Sequence, residues 1–391
     1  MIEVEQAIEL IETHATASET ERSDIKKALG YVSMQNVLSP INMPPFNQSA
    51  MDGYAIHFDD SISSYLIIGE IPAGKNPSQI KLNKGEAARI FTGAEIPVGC
   101  SSVVQQEWCT QKKNILTFNK EIKNNLNIRP IGEEVKEGEI VIQKGSQLNA
   151  ASIGFLASLG ISSIEVNKKP KIGIVITGSE LINLDDEWAP GKIYESNSYL
   201  LESILNTFGL YSVSIYKAKD SFDATKTAAK NAIQENDVVL FSGGISVGDY
   251  DHVYNVLKEL NVETIFYKVK QKPGKPLYFG KVGGKAIFGL PGNPGSALTC
   301  FYIYVLRYLS IYRNVEYPIK KQTIRLESNY RKKAGRAEFI KAVVKGDKAQ
   351  ICDFQNSSML RAFVEGNGLI YMNDKIENPK QGDRFDCYLL L

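Results

Sequence analysis

Histidine is scarce in this 391-residue chain: there are three, His14, His57 and His252. That excludes the paired-histidine zinc helix of metalloproteases and argues against a Ser-His-Asp arrangement. His252 adjoins Asp251 and reads as packing or solvent-facing rather than as a base. Cysteine is equally sparse, with Cys100, Cys109, Cys300, Cys352 and Cys387 scattered and no Cys-x-x-Cys pair. An odd, unspaced set fits core thiols in a reducing cytoplasm. Net charge is +1, from 45 basic and 44 acidic residues, so the electrostatic footprint of a nucleic-acid binder is missing. No run approaches the ~18 apolar residues of a membrane span. The first residues, Met1-Ile2-Glu3-Val4-Glu5, are acidic and carry no apolar signal core. A cytoplasmic protein is expected, with no membrane and no nucleic-acid partner.

What is present is enough apolar sequence, 43%, to build roughly two to four domains. The most informative stretch is 237–251. The apolar run from Val238 to Phe241 reads as a buried parallel strand. It passes directly into Ser242-Gly243-Gly244-Ile245-Ser246-Val247-Gly248, then two acids, Asp249 and Asp251, then helical spacing through Val253, Val256 and Leu257. Strand, glycine loop and helix together present backbone N–H groups to an anion. Acids beside such a loop would repel bare phosphate, which points to a metal ion between them. A tight turn with solvated acids is the other reading.

Taken in order, Val4, Ile8 and Ile11 predict an amphipathic helix over 3–15. Ser23 is expected to cap a short helix at 24–29, and a proline-rich link follows at 40–45. Strand-like runs at 65–68, 86–90, 102–106 and 115–118 suggest a small β-rich insert. A helix is predicted at 150–159. From Lys171 strands and helices alternate: strands at 172–176, 211–216, 238–241, 264–269, 277–279 and 286–290, helices at 196–207 and 221–235. A last helix starts at Pro294 and runs to about residue 312. This is the pattern of a doubly wound α/β sheet with right-handed crossovers. Beyond 316 strand patterns return at 322–326, 338–344, 350–353, 369–371 and 385–390, which suggest a β-barrel or sandwich of about 75 residues. The expected division is a discontinuous linking subdomain (1–45 and 125–168), the β-rich insert (46–124), the α/β domain (169–313) and a C-terminal β domain (314–391).

Ligands of open α/β sheets bind at the carboxyl ends of strands. Four marked loops lie there: Thr177-Gly178-Ser179-Glu180, the loop with Asp220, the glycine loop, and Pro291-Gly292-Asn293-Pro294-Gly295-Ser296. The lysine cluster Lys268, Lys270, Lys272 and Lys275, with corners at Pro273 and Pro276, suits a multiply charged anion or is a solvated basic hairpin. Asp52, in an unusual Ser-Ala-Met-Asp-Gly-Tyr stretch, either caps a turn or serves the site. Thr92, Glu134, Arg336 and the pair Ser357-Ser358 carry weaker signals. The residues by themselves describe an α/β domain that binds a phosphorylated ligand, with an anion subsite and Mg²⁺.

Six ordered stretches add to this: PPFNQSAMDGYA (44–55), IFTGAEIPVG (90–99), TGSEL (177–181), SGGISVGDYD (242–251), KPGKP (272–276) and LPGNPGSA (290–297). Together they resemble the MoeA/gephyrin E-domain family, the molybdopterin molybdenumtransferases, over essentially the whole chain. The resemblance implies an elongated four-subdomain homodimer whose α/β subdomain binds molybdopterin. It implies insertion of molybdate into adenylylated molybdopterin with Mg²⁺, releasing AMP and yielding molybdenum cofactor. Under it, Asp251, with Asp220 in support, holds Mg²⁺. Lys272, Lys275, Ser296, Arg336 and Ser357 or Ser358 become donors to molybdate. Thr177 and Glu180 line the pocket, and Asp52 and Thr92 match functional positions expected to close over the site from the other chain. Glu134 stands where the family usually has Asp. Implied partners are the adenylyltransferase that precedes this step and the molybdoenzyme apo-proteins, or their chaperones, that follow. The runner-up activity is that adenylyltransferase step; a gephyrin-like scaffold is the reading from another class.

Overall fold

A computed structural model of the protein describes residues 1–245 and 252–390. The chain forms two compact units. One holds residues 1–21, 30–32 and 167–391, the other 22–29 and 33–166.

The first unit is organised by a six-stranded sheet. Its spatial order is Val213–Ala218, Ile172–Thr177, Val238–Ser242, Lys285–Leu290, Tyr278–Val282, Glu263–Tyr267. The first four strands are parallel, with Ile174 opposite Leu240 and Leu240 opposite Phe288. Tyr278–Val282 runs antiparallel to both of its neighbours. The central strands are buried along their length because both faces are covered. Alternation sorts their side chains: Ile172, Ile174, Ile176, Val238 and Leu240 enter one core, Val175, Val239 and Phe241 the other. The first core takes the N-terminal helix Val4–His14 and the helix Asn197–Thr207; the second takes Phe222–Glu235 and Val253–Glu259. The expected doubly wound layering is present.

The last helix starts at Pro294, as its fixed φ favours. It passes through a π-helical turn, Phe301–Val305, before continuing as Leu306–Tyr312. Beyond it, five strands close into a barrel: Lys320–Leu326, Ala337–Lys345, Lys348–Ile351, Gly368–Met372 and Arg384–Leu389. Ala337–Lys345 closes it by pairing with both Lys348–Ile351 and Gly368–Met372. A two-residue strand from the lysine turn, Gln271–Lys272, adds to the barrel beside Ala337 and Glu338.

The second unit carries its own six-stranded sheet, ordered Ser102–Gln105, Gly53–Ile56, Glu86–Ile90, Ser64–Ile71, Ile115–Phe118, Cys109–Lys112. Its helix Ala150–Ser158 is started by Asn149, whose side chain and Ser152 form a capping box. The helix expected at 24–29 is a single 3₁₀ turn, Ile25–Lys27, and Asp24 rather than Ser23 caps it by accepting from the Lys26 N–H. Ser23 lies within the strand Thr20–Asp24. No described helix is long and apolar enough to cross a membrane.

Candidate functional site

The loops at the carboxyl ends of the parallel strands enclose a cavity of about 560 Å³. Thr177, Gly178, Glu180, Asp220, Ser242, Gly243, Gly244, Pro291, Gly292, Asn293 and Pro294 all line it. All four predicted loops contribute to it, the second through Asp220. Ser358 reaches the same cavity from the barrel.

Two glycines make this geometry possible. Gly243 and Gly244 have φ of +95° and +63°. A Cβ on Gly243 would stand 2.7 Å from the Thr177 carbonyl oxygen, and one on Gly244 2.8 Å from the Thr177 hydroxyl. Only glycine lets the strand ends approach this closely. Beneath them Asn197 donates from Nδ2 to Ser242 Oγ and to the Gly292 carbonyl, both at 2.7 Å, which ties the strand end to the Pro-Gly-Asn-Pro loop. Thr177 Oγ1 and Asn197 Oδ1 are buried and have no hydrogen-bond partner among the described residues. A buried hydroxyl and amide oxygen left unmatched at a cavity wall fit a ligand that completes them.

The acids are arranged differently. Asp220 Oδ2 accepts from the Ser179 N–H at 2.9 Å and faces the cavity. Glu180 lines it from an exposed position. Glu195, which the sequence did not single out, is buried in the wall, with both oxygens held by the backbone and hydroxyl of Ser198. Among the described residues no three metal-ligating side chains gather. Mg²⁺ needs only one or two carboxylates beside substrate phosphates, so Asp220 suits it as a hard oxygen donor. Ser246, Gly248, Asp249 and Asp251 lie outside the described residues.

The lysine turn is held from below. Gln271 is fully buried; its Nε2 donates to the carbonyls of Pro273 (3.0 Å) and Gly274 (3.3 Å), and its Oε1 accepts from the Tyr304 hydroxyl. Tyr304 lies in the π-helical turn. Pro276 lines the cavity; Lys272 and Lys275, both exposed, do not. Lys272 Nζ is 3.9 Å from a Glu338 carboxylate oxygen. The expected four-lysine array is not one unit: Lys270 is committed to Glu3 (3.0 Å) and Asp374 (3.1 Å), and the Lys268 ammonium lies 4.6 Å from the centre of the Tyr267 ring.

On the barrel side, Ser357 Oγ accepts from Asn293 Nδ2 at 3.0 Å and its carbonyl accepts from the N–H of buried Ser296 at 2.9 Å. Arg336 is exposed, and its carbonyl accepts from the buried Lys332 ammonium at 2.8 Å. Lys341, also unmarked by the sequence reading, is buried behind this loop.

In the second unit Asp52 and Thr92 come together. Asp52 Oδ1 accepts from the Thr92 N–H (2.8 Å) and hydroxyl (2.7 Å), and these bonds, the backbone one first, hold its carboxyl below the usual range. Glu134 is exposed, with its N–H on the Met43 carbonyl at 2.9 Å. The cysteines are not poised as nucleophiles. Burial pushes Cys100 up to about 11 and Cys387 up to about 12, and raises Cys300 and Cys352. Cys100 and Cys109 are only half-buried, not core. His252 packs edge-on against Phe222.

Residues 2–160 match the MoeA N-terminal region (domain I and II), 173–310 a probable molybdopterin binding domain, and 323–390 the MoeA C-terminal region (domain IV). The chain is 33% identical to a molybdopterin molybdenumtransferase of Haemophilus influenzae, across 98% of this chain and 97% of that one. The chain belongs to the MoeA family. A molybdopterin molybdenumtransferase of Staphylococcus epidermidis is 34% identical over 78% of this chain and 74% of its own length. The crystal structure of a MoeA protein of molybdopterin biosynthesis from Pyrococcus horikosii superposes with a TM-score of 0.82 at 28% identity, covering 100% of this chain and 99% of that one. Thr177, Asp220, Gly243 and Asn293 of the cavity fall within the stretch that matches the probable molybdopterin binding domain.

Proposed function

We propose that this chain is a molybdopterin molybdenumtransferase, which inserts molybdate into adenylylated molybdopterin, releases AMP and yields molybdenum cofactor. The observation that carries this reading is the strand-end cavity, with a hydroxyl and an amide oxygen on its wall that are unmatched among the described residues and a serine of the barrel at its edge. The glycine loop and Thr177 receive the phosphate end of the pterin. Asn293 and Pro294 form the opposite wall. The exposed ammonium groups of Lys272 and Lys275, with Arg336, Ser357 and Ser358, supply donors to a tetrahedral dianion. The substrate brings its own dithiolate, so no protein thiolate is required. Asp220, with Asp251, would hold Mg²⁺, which would neutralise charge on the phosphoanhydride as it breaks. Asp52 and Thr92 serve the same reaction in a homodimer, and the protein works in the cytoplasm between the adenylyltransferase and the apo-molybdoenzymes.

The test is anaerobic incubation with adenylylated molybdopterin, molybdate and Mg²⁺, with cofactor read out by reconstituting an apo-molybdoenzyme. Formation of adenylylated pterin from ATP and molybdopterin, without molybdate, would instead make the chain an adenylyltransferase. Asp220→Asn keeps an oxygen for the Ser179 N–H, so the fold should hold while Mg²⁺-dependent AMP release falls by about a hundredfold. Unchanged Mg²⁺ dependence in that variant removes Asp220 from the metal site. Light scattering tests the homodimer; a monomer mass at assay concentration rejects it.

A further inference from the structure

Lys341 sits in the middle of the barrel strand Ala337–Lys345 and is 1% exposed. A buried ammonium is costly unless a carboxylate or a set of acceptors meets it. Among the described residues no carboxylate pairs with this one. Its Nζ donates to the carbonyls of Asn356 at 3.2 Å and Phe354 at 3.4 Å, and lies 5.5 Å from the centre of the Phe363 ring. The titratable groups that face it are Lys272, from the two-residue strand added to the barrel, and Cys352.

Those two carbonyls belong to the loop that carries Ser357 and Ser358. The same loop is clamped through Gln355. Lys341 N–H donates to Gln355 Oε1 at 3.0 Å, and Gln355 Nε2 donates back to the Lys341 carbonyl at 2.7 Å and to that of Cys352 at 2.8 Å. At its far end the loop meets the cavity wall through Ser357, which accepts from Asn293 and Ser296. A Cβ on Gly295 would stand 2.8 Å from the Ser357 carbonyl oxygen, so the seam is tight. The serine loop is thus held between Lys341 on one side and the Pro-Gly-Asn-Pro loop on the other.

We propose that Lys341 is the positioning residue of the oxyanion end of the site: its buried ammonium fixes the 354–356 backbone so that Ser357 is aimed, and it adds positive charge behind Lys272. This rests on the reading of that end as the molybdate subsite. Such a role accounts for a buried cation that meets no carboxylate among the described residues. Burial, and secondarily Lys272, push Lys341 down to about 8, while the Cys352 thiol opposes this. Anion affinity should therefore fall as pH rises through that value.

The experiment is molybdate titration calorimetry on the full chain at pH 7, with wild type, Lys341→Met, Ser357→Ala and the double variant. Wild type should bind. Each single variant should bind about tenfold more weakly, and the double variant by clearly less than the product of the two losses, because both act largely through one loop. Equal affinity of wild type and Lys341→Met, or losses that add in full, overturns the inference while leaving the subsite intact. Wild type that fails to bind molybdate removes the subsite reading itself. Should Lys341→Met not fold, the wild-type pH profile decides: a fall in affinity centred near pH 8, absent in Lys341→Arg, supports the role. A flat profile from pH 7 to 9 rejects it.

Discussion

The two walls of the cavity are built by opposite means. The strand-end wall is built on close-packed backbone and small polar side chains, Gly243, Gly244, Thr177, Asn197 and Ser242, with the carboxylates Glu180, Glu195 and Asp220 beside them, carried by strands buried on both faces. Its precision comes from close approach at Gly243 and Gly244. The barrel-side rim lies on turns, which reach the cavity through Pro276 and Ser358 and carry the exposed Lys272 and Lys275 outside its lining. Each turn is held by one buried polar side chain, Gln271 under the lysines and Lys341 under the serines.

The comparison breaks most readily at Gly243. Gly243→Ala puts a Cβ against the Thr177 carbonyl, so turnover should drop by about a hundredfold or more with the barrel still folded. Wild-type turnover would show that this wall tolerates displacement after all. On the rim, Lys275→Ala should weaken molybdate binding by about tenfold and leave the affinity for nucleotide-pterin close to wild type. Calorimetry with each ligand separately checks this, and equal losses for both would merge the two walls into one. A smaller effect is expected at Tyr304→Phe. It leaves Gln271 Oε1 buried without its donor, at a cost of about 1–3 kcal/mol in chemical denaturation. The anion affinity should soften in parallel, and a stability loss without that change would detach the π-helical turn from the site.

The smallest effect concerns pH and carries its own sign. Lys341 is held below the usual lysine value when folded, so between about pH 8 and that value the unfolded chain binds more protons. This group's penalty is full below pH 8 and lifts above it. Wild type should gain stability relative to Lys341→Met between pH 7.5 and 9.5, over the range in which its anion affinity falls. Stability and binding that move together would contradict the division of labour between the walls.

Much of the strand-end wall was legible in sequence because glycine, proline and unbroken apolar runs state their backbone geometry directly. Residues 177, 178, 180, 242–244 and 291–294 stand out on those grounds, and the cavity brings them together. The rim was legible only as residue type. Nothing local distinguishes Lys270, spent on Glu3 and Asp374, from Lys272; their partners come from the N-terminal segment and the barrel. Asn197, Glu195, Gln271 and Lys341 were missed for the same reason: each is an ordinary polar residue until distant chain buries it. The reversed direction of Tyr278–Val282 was likewise hidden, since an apolar run states burial and not polarity of pairing.

The two-residue strand Gln271–Lys272 has a consequence for anyone who would dissect this chain. By connectivity it belongs to the α/β domain, between the strands Glu263–Tyr267 and Tyr278–Val282; by hydrogen bonding it is a strand of the barrel, in register with Ala337 and Glu338. A fragment excised at the apparent domain boundary would keep the lysine turn and lose the template that sets its register. Grafting this α/β domain onto another carrier would therefore transplant the strand-end cavity without the barrel strand that pairs with the lysine turn, however well the fragment folds.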